Sequence, residues 1–551
     1  MKFHKFLRRD GYILSKEILT VDEIKKIEKD LNVAPEVNYA FKDMVKVESF
    51  PIYRESPNYL YVPRFYGIRE FGPPIKNKLK NGKAINLKFK YDLLPHQHTS
   101  YAKMMNNFRT VGGGVLSLPC GYGKTALAIK AACELGVKTL VIVTKEYIAD
   151  QWEDSLYKFV GNHVNVGKIQ QKVIKVEDKD FVIAILNSIA QKDYLAEIFE
   201  EFGLCIFDEV HHLGAQCFSQ ALPKVGCKYM LGLSATPNRK DGLSKVFYGY
   251  LGELFHSEKR NSQNQVFVKR IVLSGDVDGY EEVRINMGRK PILNISRMLS
   301  NLSESVIRNK IIIDGIIPAI YKRNIKPSTK DKKDKNKKTK NNRVTLFLSA
   351  RREHLKLVHD STLEKELSKN GKDPISVGYY VGRTGTNRKK HKAALAISAK
   401  CDLILGTDAM ASEALDIPEA NCEVQSTPST DVQQKVGRIL RKFHENLHPV
   451  VIDVVDNFSS FINQARQRKK FYLSEEYIVQ DLKINIKSLT HPKDGQSLPD
   501  GSFSDMEDIY EKISEFINDT ELDEKQMKKL QKRVEDYADS LVIPKFKECM
   551  L

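Results

Sequence analysis

Residues 116–130 read LSLPCGYGKTALAIK. An apolar run stops at Pro119, two glycines flank Tyr122, and Lys124 and Thr125 precede helix-forming residues. Those types in that order suit an anion. Gly121 and Gly123 let the backbone turn tightly and aim its N–H groups inward, where the dipole of the following helix favours negative charge. Lys124 adds a full positive charge for β- and γ-phosphates, and the Thr125 hydroxyl suits magnesium. The match is to the short G-x-G-K-T form, since the longer pattern wants glycine where this chain has Leu118. The expected ligand is a nucleoside triphosphate with Mg2+, cradled by Pro119, Cys120, Gly121, Tyr122, Gly123, Lys124 and Thr125.

A second constellation lies about 85 residues on, in GLCIFDEVHH (203–212). A magnesium–nucleotide site needs one acid to orient the metal and another to polarise the attacking water. Asp208 and Glu209 take those roles in that order. Adjacent acids also end strands without any chemistry, but an apolar strand behind a phosphate loop gives these two a purpose. His211 and His212, near Cys205 and Cys217, match no standard zinc spacing. They read as a polar latch, with His211 the better placed. In LGLSATPNRKDG (231–242), Ser234, Ala235 and Thr236 end another apolar strand with hydroxyls that can bond both backbone and acids.

These groups need a scaffold that brings strand ends together. Apolar strands alternate with helical stretches: GGVLSLP, KTLVIVT, DFVIAIL, GLCIFDE and YMLGLSA, then RVTLFLSA, ISVGYYV, CDLILGT, ANCEVQST and PVVIDVV. That alternation predicts two tandem α/β domains with parallel sheets covered on both faces. The divisions expected are 1–84, a small N-terminal α/β module for substrate recognition that includes a helix at 21–31; 85–265, the first sheet domain; 266–342, a helical connector; 343–478, the second sheet domain; and 479–551, a polar tail with a helix at 505–541. A lysine-rich, low-complexity run at 321–343 reads as a solvated insert. The formal charge of +18 over 551 residues points to a polyanionic partner, although that run carries roughly half of the excess. Eight scattered cysteines without a C-x-x-C pair argue against structural zinc and against disulfides. No secretory signal or membrane span is legible, so an intracellular, cytoplasmic location is expected.

The order GYGKT, DEVHH, SAT resembles the superfamily 2 helicases and translocases. SEALDIP (412–418) is similar to their motif V, QKVGRILR (434–441) to their motif VI, and LLPHQ (93–97) to their L-x-P-x-Q element. VTKEYIADQW (143–152) and TLFLSARREHL (345–355) sit where motifs Ia and IV belong. The resemblance spans about 85 to 460 and is nearest the XPB/UvsW-like branch, especially the transcription-linked helicases of large double-stranded DNA viruses. Ala414 and Leu118 depart from the family pattern without removing a catalytic group. The resemblance implies two RecA-like domains, ATP with Mg2+, and adenine recognition by Gln97. It implies arginine fingers at Arg438 and Arg441, three apart and so expected on one helix face, with Gln434 aligning the water. It puts Asp416 among the coupling residues beside His211 and Ser234–Thr236. Nucleic-acid contacts fall at Thr144, Lys145, Asn187, Ser188, Ser349, Arg351 and Thr407. Trp152 reads as helix packing. The implied activity is an ATP-dependent DNA helicase or translocase with transcription machinery among its expected partners, placed in a viral factory or virion if viral; an RNA helicase and a nucleotide-gated binding subunit are the alternatives.

Overall fold

The computed structural model describes residues 5–36, 48–239, 241–258, 265–275, 280–287, 290–321, 343–368, 375–382, 387–413, 417–430, 432–442, 444, 447–486 and 506–521, with 526, 528 and 532. The chain divides into two compact units on either side of residue 260.

The first unit opens with five short strands in the order Arg54–Glu55, Tyr59–Val62, Gly11–Ser15, Lys5–Arg8, Lys76–Asn77. The expected helix spans Val21–Leu31 and starts at a capping box, in which Thr20 and Glu23 each accept the other's N–H. It buries Ile27 and Leu31 and leaves most of its charges in water.

A larger sheet follows, built from β1 (Gly113–Ser117), β2 (Thr139–Val143), β3 (Val166–Gln170), β4 (Val173–Lys175), β5 (Phe181–Ile185), β6 (Leu204–Asp208), β7 (Tyr229–Ser234) and β8 (Leu254–Ser257). Their order is β4-β3-β5-β2-β6-β7-β1-β8, parallel throughout except for the β3–β4 edge. The inner strands GGVLS, TLVIV and FVIAI are buried at every residue, so they read as continuous apolar runs rather than alternation. Helix α1 (Lys124–Leu135) follows β1, and α2 (Glu146–Phe159) follows β2. Because β7 lies between β6 and β1, the loops that leave all three strands gather at one sheet edge.

The second unit holds seven parallel strands: β9 (Phe267–Ser274), β10 (Val344–Ser349), β11 (Val377–Tyr380), β12 (Leu403–Thr407), β13 (Ala420–Gln425), β14 (Val450–Asp456) and β15 (Ile478–Asn485). Their order is β11-β12-β10-β13-β14-β9-β15. Two of them depart from expectation. β9 lies in the stretch expected as a helical connector, and β15 runs into the stretch expected as a polar tail. Both sequences, FVKRIVLS and IVQDLKIN, break their apolar runs with charge. The structure pairs those charges across strands: Arg270 Nη1 donates to both Asp481 oxygens at 2.9 and 3.2 Å. Buried Lys269 donates to Gln480 and to the Asp519 carbonyl.

Helices do fill the rest of the connector, including Ile295–Glu304 and a π-helical turn at Ile311–Ile316. The tail helix spans Met506–Asn518 and packs Ile509, Ile513 and Ile517 against that turn. Gly315 permits the approach, since a Cβ there would stand 3.0 Å from Ile513 and Tyr510. Residues 322–342 of the lysine-rich run lie outside the described residues. Among the described residues no helix is long and apolar enough to cross a membrane.

Candidate nucleotide site

The phosphate loop leaves β1 at Leu118, which is fully buried and donates its N–H to the Ser234 carbonyl at 3.1 Å. Gly121 (φ +81°) and Gly123 (φ +95°) both take the left-handed backbone that the sequence pattern requires. Lys124 then opens α1, and its Nζ donates back across the loop to the carbonyls of Leu118 (2.9 Å) and Pro119 (3.4 Å). Gln97 opens the helix Gln97–Thr110 and is buried against the same loop. Its Oε1 accepts the Leu94 N–H at 2.9 Å and its Nε2 donates to the Tyr122 carbonyl at 2.8 Å. The Tyr122 hydroxyl donates to the His96 carbonyl at 2.5 Å and lies 3.3 Å from Ser100 Oγ. The residue expected to read adenine thus braces the loop that cradles phosphate. Sequence reasoning missed His96 and Ser100, whose only signal was their place beside Gln97.

Asp208 ends β6, and register sets it opposite Leu233, one residue before Ser234, which pairs with Ser117. Burial, then the charge of Glu209, push the Asp208 carboxyl up to about 6, while a Trp152 hydrogen bond and Lys124 pull it down. Glu209 has a left-handed backbone (φ +52°), a strained state for a residue with a side chain, and its N–H donates to Asp208 Oδ1 at 3.1 Å. His211 Nδ1 lies 3.4 Å from Glu209 Oε2 and 3.2 Å from the Oγ of buried Ser234. That oxygen also accepts the Thr236 N–H at 3.0 Å. The side chains of DEVHH and SAT expected to form a latch are thus within reach of one another. Arg239, which sequence reasoning passed over, extends it: its guanidinium donates to the His211 carbonyl and to Asp241. Half-buried Cys120, Thr125 and Ala235 complete the same edge. An ammonium, a glycine turn at a helix start, a hydroxyl and two carboxylates are a donor set that fits a magnesium nucleotide.

The expected strand contacts divide. β2 and β5 run abreast, Val143 opposite Ile185, so Thr144–Lys145 and Asn187–Ser188 leave neighbouring strand ends. Lys145 and Asn187 are exposed, and Thr144 Oγ1 has no hydrogen-bond partner among the described residues. Ser188 is buried, its Oγ accepting the Gln171 N–H at 3.0 Å. In the second unit Ser349 pairs with Thr407 across β10 and β12. Ser349 is a correction: it is fully buried, its hydroxyl 3.0 Å from His354 Nδ1 and accepting the Arg351 N–H, so it shapes its loop rather than meeting a strand. Arg351 Nη2 donates to the carbonyl and hydroxyl of Ser296 at 2.6 and 2.8 Å. A second correction concerns Arg438 and Arg441. The helix expected to carry both spans only Gln433–Val436, and Arg438 follows in a tight turn closed by its N–H to the Lys435 carbonyl at 2.8 Å. Gln434 and Arg438 are buried, and both arginines lie near enough to Tyr380 to act on its hydroxyl electrostatically. Asp416 lies outside the described residues.

The family model described as "Type III restriction enzyme, res subunit" matches residues 90–239. A relative in Acanthamoeba polyphaga mimivirus, named "Putative ATP-dependent RNA helicase L396", is 34% identical over 483 residues, covering 87% of each chain. The chain belongs to the superfamily 2 helicases. Relatives of this helicase are encoded by large DNA viruses; another is "Putative helicase 161L" of Invertebrate iridescent virus 6, 25% identical over 75% of this chain and 87% of that one. Among solved structures, "The crystal structure of T4 UvsW" matches this helicase with a TM-score of 0.30 at 14% identity, over 85% of this chain and 96% of that one. The helicase is an ATP-hydrolysing enzyme of α/β class with two parallel-sheet units.

Proposed function

We propose that this helicase couples ATP hydrolysis to movement along DNA, separating or remodelling its strands, in viral transcription. The observation that carries the reading is the gathering of Lys124, Asp208, Glu209 and Ser234 at the ends of β1, β6 and β7, where one latch joins the hydrolytic acid to the next strand. Lys124, Thr125 and the N–H groups from Gly121 onward hold the β- and γ-phosphates. Asp208 would orient the metal through water, and Glu209 accepts the proton of the attacking water. Thr125 and Asp208 would hold magnesium, which would supply neutralisation of the phosphate charge. Gln97 fixes the loop and reads the base. On the second unit, Gln434 orients water and Arg438 and Arg441 neutralise the γ-phosphate, with Asp416 in the coupling loop. Thr144, Lys145, Asn187, Arg351 and Thr407 grip backbone phosphates, which positions a strand without reading it. Residues 1–84 recognise the substrate. The name of the mimivirus relative favours a second reading, in which the strand is RNA.

Steady-state ATP hydrolysis with no nucleic acid, single-stranded DNA, duplex DNA or single-stranded RNA tests this. DNA is expected to stimulate most, and Lys124→Ala and Glu209→Gln are each expected to lower kcat by about a hundredfold or more. Stimulation by RNA alone moves the assignment to the second reading. Hydrolysis indifferent to every strand sinks the motor.

A further inference from the structure

Trp152 is the only tryptophan in the chain. It stands on the face of α2 that buries Ile148, Ala149 and Leu156, and its own side chain is 1% exposed. Packing explains the ring but not its polar edge. Nε1 donates to Asp208 Oδ2 at 2.8 Å, a bond to a carboxylate and so stronger than one to a neutral acceptor. The other oxygen of that carboxylate accepts the Glu209 N–H at 3.1 Å. Two donors from two different elements therefore fix the Asp208 carboxylate at both oxygens. Topology explains how they meet: β2, which feeds α2, pairs directly with β6, with Phe207 opposite Ile142. A phenylalanine would also bury an aromatic ring here but bring no donor, so the bond accounts for the indole N–H where burial does not.

We propose that Trp152 is a positioning residue of the hydrolytic site, holding the Asp208 carboxylate in the orientation in which it meets magnesium. The inference rests on reading Asp208 as the magnesium-facing acid. It makes the indole a built-in reporter of that acid.

The test uses the full chain. Labelling with 15N-tryptophan gives a single indole N–H resonance, free of nucleotide and metal. That resonance is expected to lie downfield of an indole in water, to exchange slowly, and to move upfield in Asp208→Asn. Trp152→Phe is expected to lower kcat about tenfold or more while KM for ATP stays within about twofold. Replacement of Trp152 by 3-benzothienylalanine, which exchanges the N–H for sulfur and keeps the ring shape, separates the bond from the packing. That protein is expected to melt with the wild type and to share the kcat loss. Wild-type kcat in the benzothienyl protein, or an indole resonance that Asp208→Asn does not move, overturns the inference alone. A wild-type chain that hydrolyses no ATP overturns the reading of the site and the inference with it.

Discussion

At residue 123 the absence of a side chain keeps the cradle open. Gly123 sits at φ +95°, and a Cβ built there would stand 2.3 Å from Gln97 Nε2. Gln97 cannot withdraw freely, because its amide satisfies both the Leu94 N–H and the Tyr122 carbonyl. Gly123→Ala is therefore expected to weaken ATP binding about tenfold or more with the fold intact, read by titration calorimetry. Gln97→Ala is expected to weaken it too, and the double variant to do so by less than the sum, since the collision is removed. This part of the site is legible in sequence because the left-handed backbone dictates the residue type. The Trp152–Asp208 bond was not legible, because its partners lie 56 residues apart and only sheet order brings them together. Ser349 shows the opposite failure: a hydroxyl at a strand end suggested an exposed contact, and burial beside His354 spends it inside the fold.

Among the elements, β13 carries an unexpected load. Glu423 is fully buried in it, and neither carboxylate oxygen has a hydrogen-bond partner among the described residues. Burial pushes its carboxyl up to about 8, with Asp408 and Asp453 adding to the rise and Lys435 opposing it. The folded chain thus keeps a proton that the unfolded chain loses near the ordinary value of 4.5. Stability from this group is complete below that value and falls as pH rises toward 8. Glu423→Gln keeps the shape and removes the titration. Calorimetric melting is expected to find the two proteins alike at pH 4 and the variant ahead at pH 8, by roughly 4 kcal/mol. Charge inside strands also explains what the sequence concealed at this scale. Ten strands announced themselves as apolar runs, whereas β9 and β15 stayed hidden because Lys269, Arg270 and Asp481 look like solvated residues until their partners on other strands are known.

At the scale of the molecule, the N-terminal module and the first parallel sheet share one apolar core, in which Tyr12, Leu14 and Leu60 join the cluster that holds Val115, Leu140 and Phe207. Arg64 fastens the joint. Its guanidinium donates to the carbonyls of Cys227, Lys228 and Val111 at 3.2, 3.0 and 3.5 Å, and burial lowers its pKa to about 10, so it stays charged at neutral pH. Tyr250 reaches the other way and donates to the Ile52 carbonyl at 2.8 Å. Core packing and a half-buried cation thus join the module to the sheet that carries the phosphate loop. Arg64→Ala leaves those carbonyls without their donor, which costs about 1–3 kcal/mol, and a fall of several degrees in melting temperature is expected. Arg64→Lys is expected to restore only part of it, because a single ammonium nitrogen cannot stand where both Nη1 and Nη2 of the planar guanidinium do. Deleting residues 1–84 is the sharper test. If the module were an appendage, the remainder would stay soluble and hydrolyse ATP; the shared core instead predicts a chain that exposes apolar surface and aggregates, visible by size-exclusion chromatography.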